Sequence, residues 1–350
     1  MIRYIRPVPA RSARGLVQEV YAQIRNEFGT LGEPLTLHSP LPPVLAGLWC
    51  SFRESLVAGV VPRAVKEAVA VGVSRLNECA YCIDAHAVLL RAADAHEAAA
   101  LIQKGNEGGI SDPQLRAAAA WAKATRSPGA QILRFPPFSG SEAPEIIGTA
   151  VWIHYINRMS KIFLGGNLIP GRLNRLGLRS LAERTGGWVF ASSVRRPRLA
   201  GESLRLVPEA KLPEDLAWAA ESATVARAFA AFAAAVEEAG SQALEPAVRE
   251  CVLARVEEWS GSEPGLSRSW AEPAVSGLEA KSRPAARLAL LAALAPHHVA
   301  DDVIAGFLSQ YPGDERLLGA LAWSSFTAAR RIGSWLNPDA AHQELTRGSA

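Results

Sequence analysis

The apolar and polar positions of this chain repeat with the period of an α-helix along most of its length. Between residues 16 and 28, apolar side chains fall on one helical face at Val17, Val20, Tyr21 and Ile24. The same pattern predicts helices over residues 44–58, 62–76, 79–93, 95–104, 113–125, 144–164 and across most of 216–335. No stretch alternates with the period of two that marks a strand, so the pattern predicts an all-α fold.

Residues 165–213 break this pattern. Prolines and glycines interrupt the apolar runs there, and basic residues are frequent. We therefore expect a connection with little regular structure, in which Gly186 and Gly187 are turn residues. The predicted organisation is a first helical unit over residues 1–165, a linker over 166–213 and a second helical unit over 214–350.

The two helical units resemble each other in sequence. The segment Ala64–Val69 matches Ala247–Val252, and further residues match in the same order. These pairs are Pro113 with Pro284, Arg116 with Arg287, Gly148 with Gly319, Trp152 with Trp323 and Tyr155 with Phe326. A similar spacing of proline, glycine and tryptophan in both halves predicts an internal duplication.

The composition is that of a globular protein, with 49% hydrophobic and 20% charged residues. A net charge of +3, from 37 basic and 34 acidic residues, indicates no basic surface of the kind that binds nucleic acid. The first residues lack the apolar run of a signal peptide, and no window reaches the roughly 18 apolar residues of a membrane span. We therefore expect a cytoplasmic protein that contacts neither nucleic acid nor membrane.

Two of the four cysteines lie three positions apart, as Cys79-Ala-Tyr-Cys82, and His86 follows four residues later. Thiols are mostly reduced in the cytoplasm, so such a pair there indicates redox chemistry or metal binding rather than a structural disulfide. Cys50 and Cys251 lie within apolar helical patterns, which predicts buried and inert thiols.

The spacing of these residues predicts a proton relay. Cys79, Cys82 and His86 share one face of a helix whose N-terminus favours a thiolate. A break at residues 77–78 would fold the preceding helix back into a hairpin and bring Glu67 opposite His86. Glu67 would orient the imidazole, and the imidazole would take a proton from Cys82. The Cys82 thiolate would form a sulfenic acid with a peroxide, and Cys79 would close the disulfide.

The second helical unit lacks these groups. The register that starts at Glu250 places Ser262, Gly265 and Ser269 at the positions of the two cysteines and the histidine. We therefore expect no catalysis from residues 214–350. Their expected role is structural, because their apolar helices would cover the first unit and contribute to an oligomer interface.

The motif Glu67-x11-Cys79-x2-Cys82-x3-His86 resembles the active-site signature of the alkylhydroperoxidase AhpD-like family, within the carboxymuconolactone decarboxylase superfamily. The resemblance is strongest over residues 40–165. It implies an AhpD-like helical fold and a thiol-disulfide peroxidase that reduces hydroperoxides, with these four residues as relay and redox pair. It also implies a thiol reductant or a thioredoxin-like protein as partner, neither cofactor nor metal, and a homo-oligomer, either a dimer or a trimer.

Two further residues are candidates for the pocket of such an enzyme. Tyr81 lies between the two cysteines, at a position where the family's best-studied member has a histidine. His154 lies on the apolar helix 144–164, which runs close to the active site in the superfamily. It is either a pocket residue or a histidine of the core.

The residues leave three other interpretations open. Cys79, Cys82 and His86, with Glu67 as a fourth ligand, could bind zinc, or the pocket could bind a small partner without catalysis. A decarboxylase-like enzyme could use His86 and Glu67 without the thiols, although the decarboxylases of the superfamily generally lack the cysteine pair. The site could also be a relic that no longer turns over substrate.

Overall fold

The structure, a computed structural model, describes residues 2–166, 168 and 179–337. Helices dominate these residues, and no β-strand forms among them beyond an isolated bridge between Ile2 and Leu164. The all-α prediction is therefore confirmed. The helices of the first half are α1 (Gly15–Phe28), α2 (Glu33–Thr36), α3 (Pro42–Phe52), α4 (Arg63–Leu76), α5 (Ala80–Ala92), α6 (His96–Lys104), α7 (Pro113–Ala124), α8 (Gln131–Arg134) and α9 (Ala143–Phe163).

Local signals in the sequence explain where several of these helices begin. Pro113 occupies the first turn of α7, where its missing N–H would have no helical partner anyway. Asp112 caps the same helix, because its side chain accepts hydrogen bonds from the N–H groups of Gln114 and Leu115. The start of α7 is thereby fixed, and α7 packs along α4, the helix that carries Glu67.

A buried cluster of charges ties α1 and α3 to the segment that follows residue 195. Arg53, at the start of a π-helical turn that extends α3, donates hydrogen bonds to Glu27 at 2.9 Å and to Glu54 at 3.0 Å. The same guanidinium donates to the carbonyl oxygen of Leu199, and Ser203 donates to Glu54. Because every member of this cluster has a partner, it anchors the end of the connection on the first half.

The connection itself contains a helix, α10 (Arg179–Arg195). The expectation of little regular structure is therefore wrong for residues 179–195. Pro170, one of the prolines on which that expectation rested, lies outside the described residues. Gly186 and Gly187 lie in the middle of α10 and are not turn residues. A Cβ atom on Gly186 would lie 3.0 Å from Val88, and one on Gly187 would lie 3.1 Å from Arg91. Glycine weakens a helix locally, but here it lets α10 pack closely on α5.

The second half has its own set of helices. They are α11 (Ala223–Ala243), α12 (Pro246–Glu258), α13 (Ala271–Val275), α14 (Arg283–Leu294), α15 (Asp301–Gln310) and α16 (Asp314–Leu336). The residues predicted to replace the cysteines and the histidine lie in a loop and a short 3-10 turn between α12 and α13. A helix of the length of α5 is absent at that point of the described chain.

The two halves pack through two pairs of helices. α3 packs against α11, and α9 packs against α16. Tyr155 and Phe326, which the sequence match pairs, meet edge to face with their ring centroids 5.8 Å apart. Phe232 contacts both rings. Contact between equivalent residues is expected near a twofold pseudo-symmetry axis, and this arrangement supports the internal duplication that we propose.

A single apolar core runs through both halves. Trp49 and Trp121 from the first half and Phe229 and Trp323 from the second are almost completely buried in it. Removing either half would therefore expose apolar surface of the other. No helix in the described part of the chain combines the length and the apolarity needed to cross a membrane.

Candidate active site

The two helices that carry the motif form the hairpin predicted from the sequence. α4 ends at Leu76, and Glu78 adopts a left-handed conformation with φ +51°. The N–H of Cys79 donates a hydrogen bond to the carbonyl oxygen of Ser74 at 3.0 Å, and Cys79 is the N-cap of α5. The chain thus reverses within a few residues, which places the cysteines at the start of the second helix of the hairpin.

Glu67 and His86 face each other across this hairpin. Glu67 Oε2 lies 2.8 Å from His86 Nδ1, and Arg63 Nε donates a hydrogen bond to Glu67 Oε1, also at 2.8 Å. Burial favours the neutral carboxyl, but the charges of Arg63 and His86 and their hydrogen bonds hold the pKa of Glu67 below its usual value. An ionised carboxylate only accepts hydrogen bonds, so Nδ1 of His86 carries a proton and donates it to Glu67.

The two cysteine side chains are nearly inaccessible and carry free thiols. Burial disfavours the Cys82 thiolate, but the polar side chains of Cys79, Ser160 and Asn157 and the charge of Lys161 bring the Cys82 pKa below its usual value. Burial and the hydrogen bond to Cys82 raise the pKa of Cys79. Cys82 therefore ionises first, while Cys79 keeps its proton and donates it to the neighbouring sulfur.

The lowered pKa of Cys82 has the direction expected from the sequence, but its cause differs from the expected one. The largest stabilising contributions come from Cys79 and from side chains of α9, not from His86. No chemistry was expected of Asn157, Ser160 or Lys161 from the sequence. Their spacing of three and four residues on an otherwise apolar helix was the signal that could have indicated a polar face.

A hydrogen-bond network holds these α9 side chains at the turn of the hairpin. Asn77 Nδ2 donates to Asn157 Oδ1 at 3.0 Å, and Asn157 Nδ2 donates to Ser74 Oγ at 3.2 Å. Lys161 Nζ donates to the carbonyl oxygen of Asn77 at 2.9 Å. Lys161 is thus held against the turn that precedes Cys79, where its positive charge favours a thiolate.

A mostly apolar cavity of about 400 Å³ opens beside the thiol of Cys82. His86 and Tyr81 also line it, whereas Cys79 lies outside its wall. Much of the apolar wall comes from α1, the loop after it, the end of α3 and α9, and it includes Ile24, Phe28, Leu31, Phe52, Trp152 and Ile156. A reactant in the cavity can therefore meet one sulfur, that of Cys82, next to the imidazole of His86.

Comparison with known proteins agrees with this geometry. The sequence profile of the carboxymuconolactone decarboxylase family matches residues 43–124, a range that contains Glu67, Cys79, Cys82 and His86. A protein of Mycobacterium tuberculosis named alkyl hydroperoxide reductase is 40% identical over 342 residues, which cover 98% of this chain and 97% of that protein. The chain belongs to the AhpD-like group of the carboxymuconolactone decarboxylase superfamily. No solved structure matches the chain.

The extent of the two matches differs. The family profile ends at the last residue of α7, so it covers the hairpin and the helices around it. The mycobacterial relative matches nearly the whole chain, α10 and the second half included. The parts outside the profile are therefore shared with at least one member of the superfamily and are not an addition peculiar to this chain.

Of the two candidate pocket residues, the structure places one in the cavity and one outside it. Tyr81 contributes to the wall. His154 is fully buried in the core, where Nδ1 accepts a hydrogen bond from Asn77 and Nε2 donates one to Thr125. Burial and the charges of nearby arginines hold its pKa well below the usual value. It is a neutral core histidine that positions Asn77.

The geometry gives little support to a zinc site. Within the described residues, no three His, Cys, Asp or Glu side chains are grouped so that they could hold a metal ion. Both carboxylate oxygens of Glu67 already have partners, Arg63 and His86, so Glu67 has no oxygen free to serve as a fourth ligand.

Proposed function

We propose that this protein is a thiol-disulfide peroxidase that reduces hydroperoxides through Cys82 and Cys79. The observation that carries the proposal is the position of Cys82. Its thiol combines a lowered pKa, a cysteine partner within hydrogen-bonding distance and a place in the wall of an apolar cavity beside His86. The name of the mycobacterial relative agrees with this chemistry.

In the first step, the Cys82 thiolate attacks the terminal oxygen of the hydroperoxide. The S–O bond forms and the O–O bond breaks, which leaves Cys82 as a sulfenic acid and the organic part as an alkoxide. His86 lies in the same cavity wall, and the proton that it took from Cys82 neutralises this alkoxide to the alcohol. Glu67 stabilises the imidazolium that exists in between.

In the second step, the Cys79 sulfur attacks the sulfenic sulfur of Cys82. The S–S bond forms, and the hydroxyl leaves with the Cys79 proton as water. An external dithiol or a thioredoxin-like protein then supplies two electrons and two protons, which restores both thiols. Neither step requires a cofactor. We place this cycle in the cytoplasm, where such reductants are present.

We also propose that the protein acts as a homo-oligomer, either a dimer or a trimer, to which the second half contributes its structural helices. Residues 214–350 carry no counterpart of the redox pair. The first half would then contain the active site of each subunit.

The function is tested with the reduced protein, an organic hydroperoxide and dithiothreitol as reductant. We expect Cys82→Ser to stop peroxide consumption. Without dithiothreitol, which would reduce a sulfenic acid directly, we expect Cys79→Ser to stop after one turnover, with a sulfenic acid at Cys82 that dimedone traps. Cys50→Ser is the matched control, because burial raises the pKa of that thiol to about 12 and makes it inert. Peroxide consumption that survives in Cys82→Ser, or a disulfide that involves Cys50, contradicts the proposal.

A further inference from the structure

The helix α10, which the sequence presented as part of a linker, lies directly over the active-site helix. Gly186 and Gly187 bring its backbone against Val88 and Arg91, and both of these belong to α5, the helix that carries Cys82. A second contact lies at the end of α10, where Arg195 Nε donates a hydrogen bond to the carbonyl oxygen of Ala92. α10 is therefore held along much of the length of α5.

The side chain of Phe190, in the described part of α10, reaches the cavity. Phe190 lines it together with Cys82 and His86. The two residues before Phe190 point elsewhere, since Trp188 is 81% exposed and Val189 is 57% exposed. The aromatic ring of Phe190 thus completes the wall of a cavity whose reactive groups, Cys82 and His86, come from the first half.

The residues that line the cavity indicate which kind of molecule it can bind. Beyond Cys82 and His86, most of the lining is aliphatic or aromatic, and the volume of about 400 Å³ lies at the lower end of the range for small-molecule sites. A hydroperoxide with a ring or a branched alkyl group would bury that group against apolar side chains. Hydrogen peroxide has no such group and would gain nothing from them.

We propose that Phe190 is a specificity-determining residue, which makes the site favour hydroperoxides with an apolar, ring-sized substituent over hydrogen peroxide. This inference rests on the proposed peroxidase function. Phe190 acts by contact with the substituent and takes no part in the bond changes at Cys82. The specificity of the enzyme would then come from an element outside the segment that matches the family profile.

The first test compares kcat/KM for cumene hydroperoxide and for hydrogen peroxide in the parent, Phe190→Ala and Trp188→Ala. Loss of the ring should lower the ratio of the two values about tenfold, as expected for an apolar contact in a binding pocket. Trp188→Ala removes a larger but exposed aromatic side chain and should keep the parent ratio. Phe190→Leu, which retains much of the apolar volume, should lie between the parent and Phe190→Ala. An unchanged ratio in Phe190→Ala overturns the inference.

The second test does not depend on turnover. Cumyl alcohol, the product that reduction of cumene hydroperoxide would yield, should occupy the cavity and slow alkylation of Cys82 by iodoacetamide, as followed by peptide mass spectrometry. The alcohol concentration for half protection should rise about tenfold in Phe190→Ala. Equal protection in the parent and Phe190→Ala overturns the inference. Protection that depends on Phe190 in a protein without peroxide turnover supports the ligand class and contradicts the proposed function instead.

Discussion

At the scale of single residues, polar and charged side chains surround Cys82 on two sides. Glu67 and His86 lie along the hairpin, where they face each other, and in the proposed mechanism they transfer protons. Lys161 and the amide of Asn157 approach from α9 and favour the negative charge on sulfur. A thiol as buried as that of Cys82 would otherwise stay protonated, because a low-dielectric environment disfavours its charged form.

The contribution of Lys161 predicts a pH effect. Lys161→Met removes a positive charge, so the pKa of Cys82 should rise and its thiolate fraction at neutral pH should fall, about tenfold if the pKa rises by one. The midpoint of the pH dependence of Cys82 alkylation should therefore move to higher pH. Charged groups that also interact with Lys161 are Glu78, Glu263 and Arg126, and they stay unchanged in this variant.

The matched control is Lys123→Met on α7, where the lysine pairs with Glu107. It should leave the alkylation midpoint of Cys82 where it is in the parent, and Lys161→Arg should restore most of the parent behaviour because the charge returns. The same alkylation midpoint in the parent and in Lys161→Met would show that the charge of Lys161 does not lower the pKa of Cys82.

At the scale of elements, the active site depends on close packing between α10 and α5. Intrinsic propensity opposes α10, since each glycine inside a helix costs about 1 kcal/mol relative to alanine. The close contacts of Gly186 and Gly187 with Val88 and Arg91 offset this cost through packing. How completely the cavity is closed therefore depends on how closely α10 packs against α5.

Gly186→Leu should separate the two helices. The Cβ atom alone would lie 3.0 Å from Val88 Cγ1, and the rest of the leucine side chain cannot fit in that space. We expect faster hydrogen exchange in α10 and faster alkylation of Cys82 by bulky reagents. Gly306→Leu on α15 is the control, since nothing lies within 4 Å of that Cβ position. The same exchange rates in both variants would contradict a tight contact between α10 and α5.

At the scale of the whole molecule, the two halves share one core. α3 and α9 of the first half bury their faces against α11 and α16 of the second. The rings of Tyr155, Phe232 and Phe326 meet at this junction. The second half therefore stabilises the first by covering apolar surface, although it carries no counterpart of Cys79 and Cys82.

A fragment that spans residues 1–200 should expose this apolar surface and should aggregate or misassemble. Size-exclusion chromatography of the fragment is the measurement, with the full chain as reference. Co-expression with residues 201–350 should restore a soluble, active species if the two halves still find each other. A monodisperse and fully active fragment would show that the second half is dispensable and would count against the pseudo-symmetric packing.

The sequence alone determined the parts of this protein that depend on neighbouring residues. The helical period indicated the all-α class, and the break before Cys79 together with the positions of Glu67 and His86 predicted the hairpin and the contact between those two side chains. These features were predictable because they depend on spacing within and between two consecutive helices.

Only the tertiary structure decided what surrounds Cys82. Asn157 and Lys161 belong to a helix far along the chain, and Phe190 belongs to a segment whose glycines resembled turn residues. The sequence left His154 open between a pocket residue and a core histidine, and the structure places it in the core. Such placements follow from the packing of distant helices against one another, and the local pattern of a single sequence does not record which faces meet.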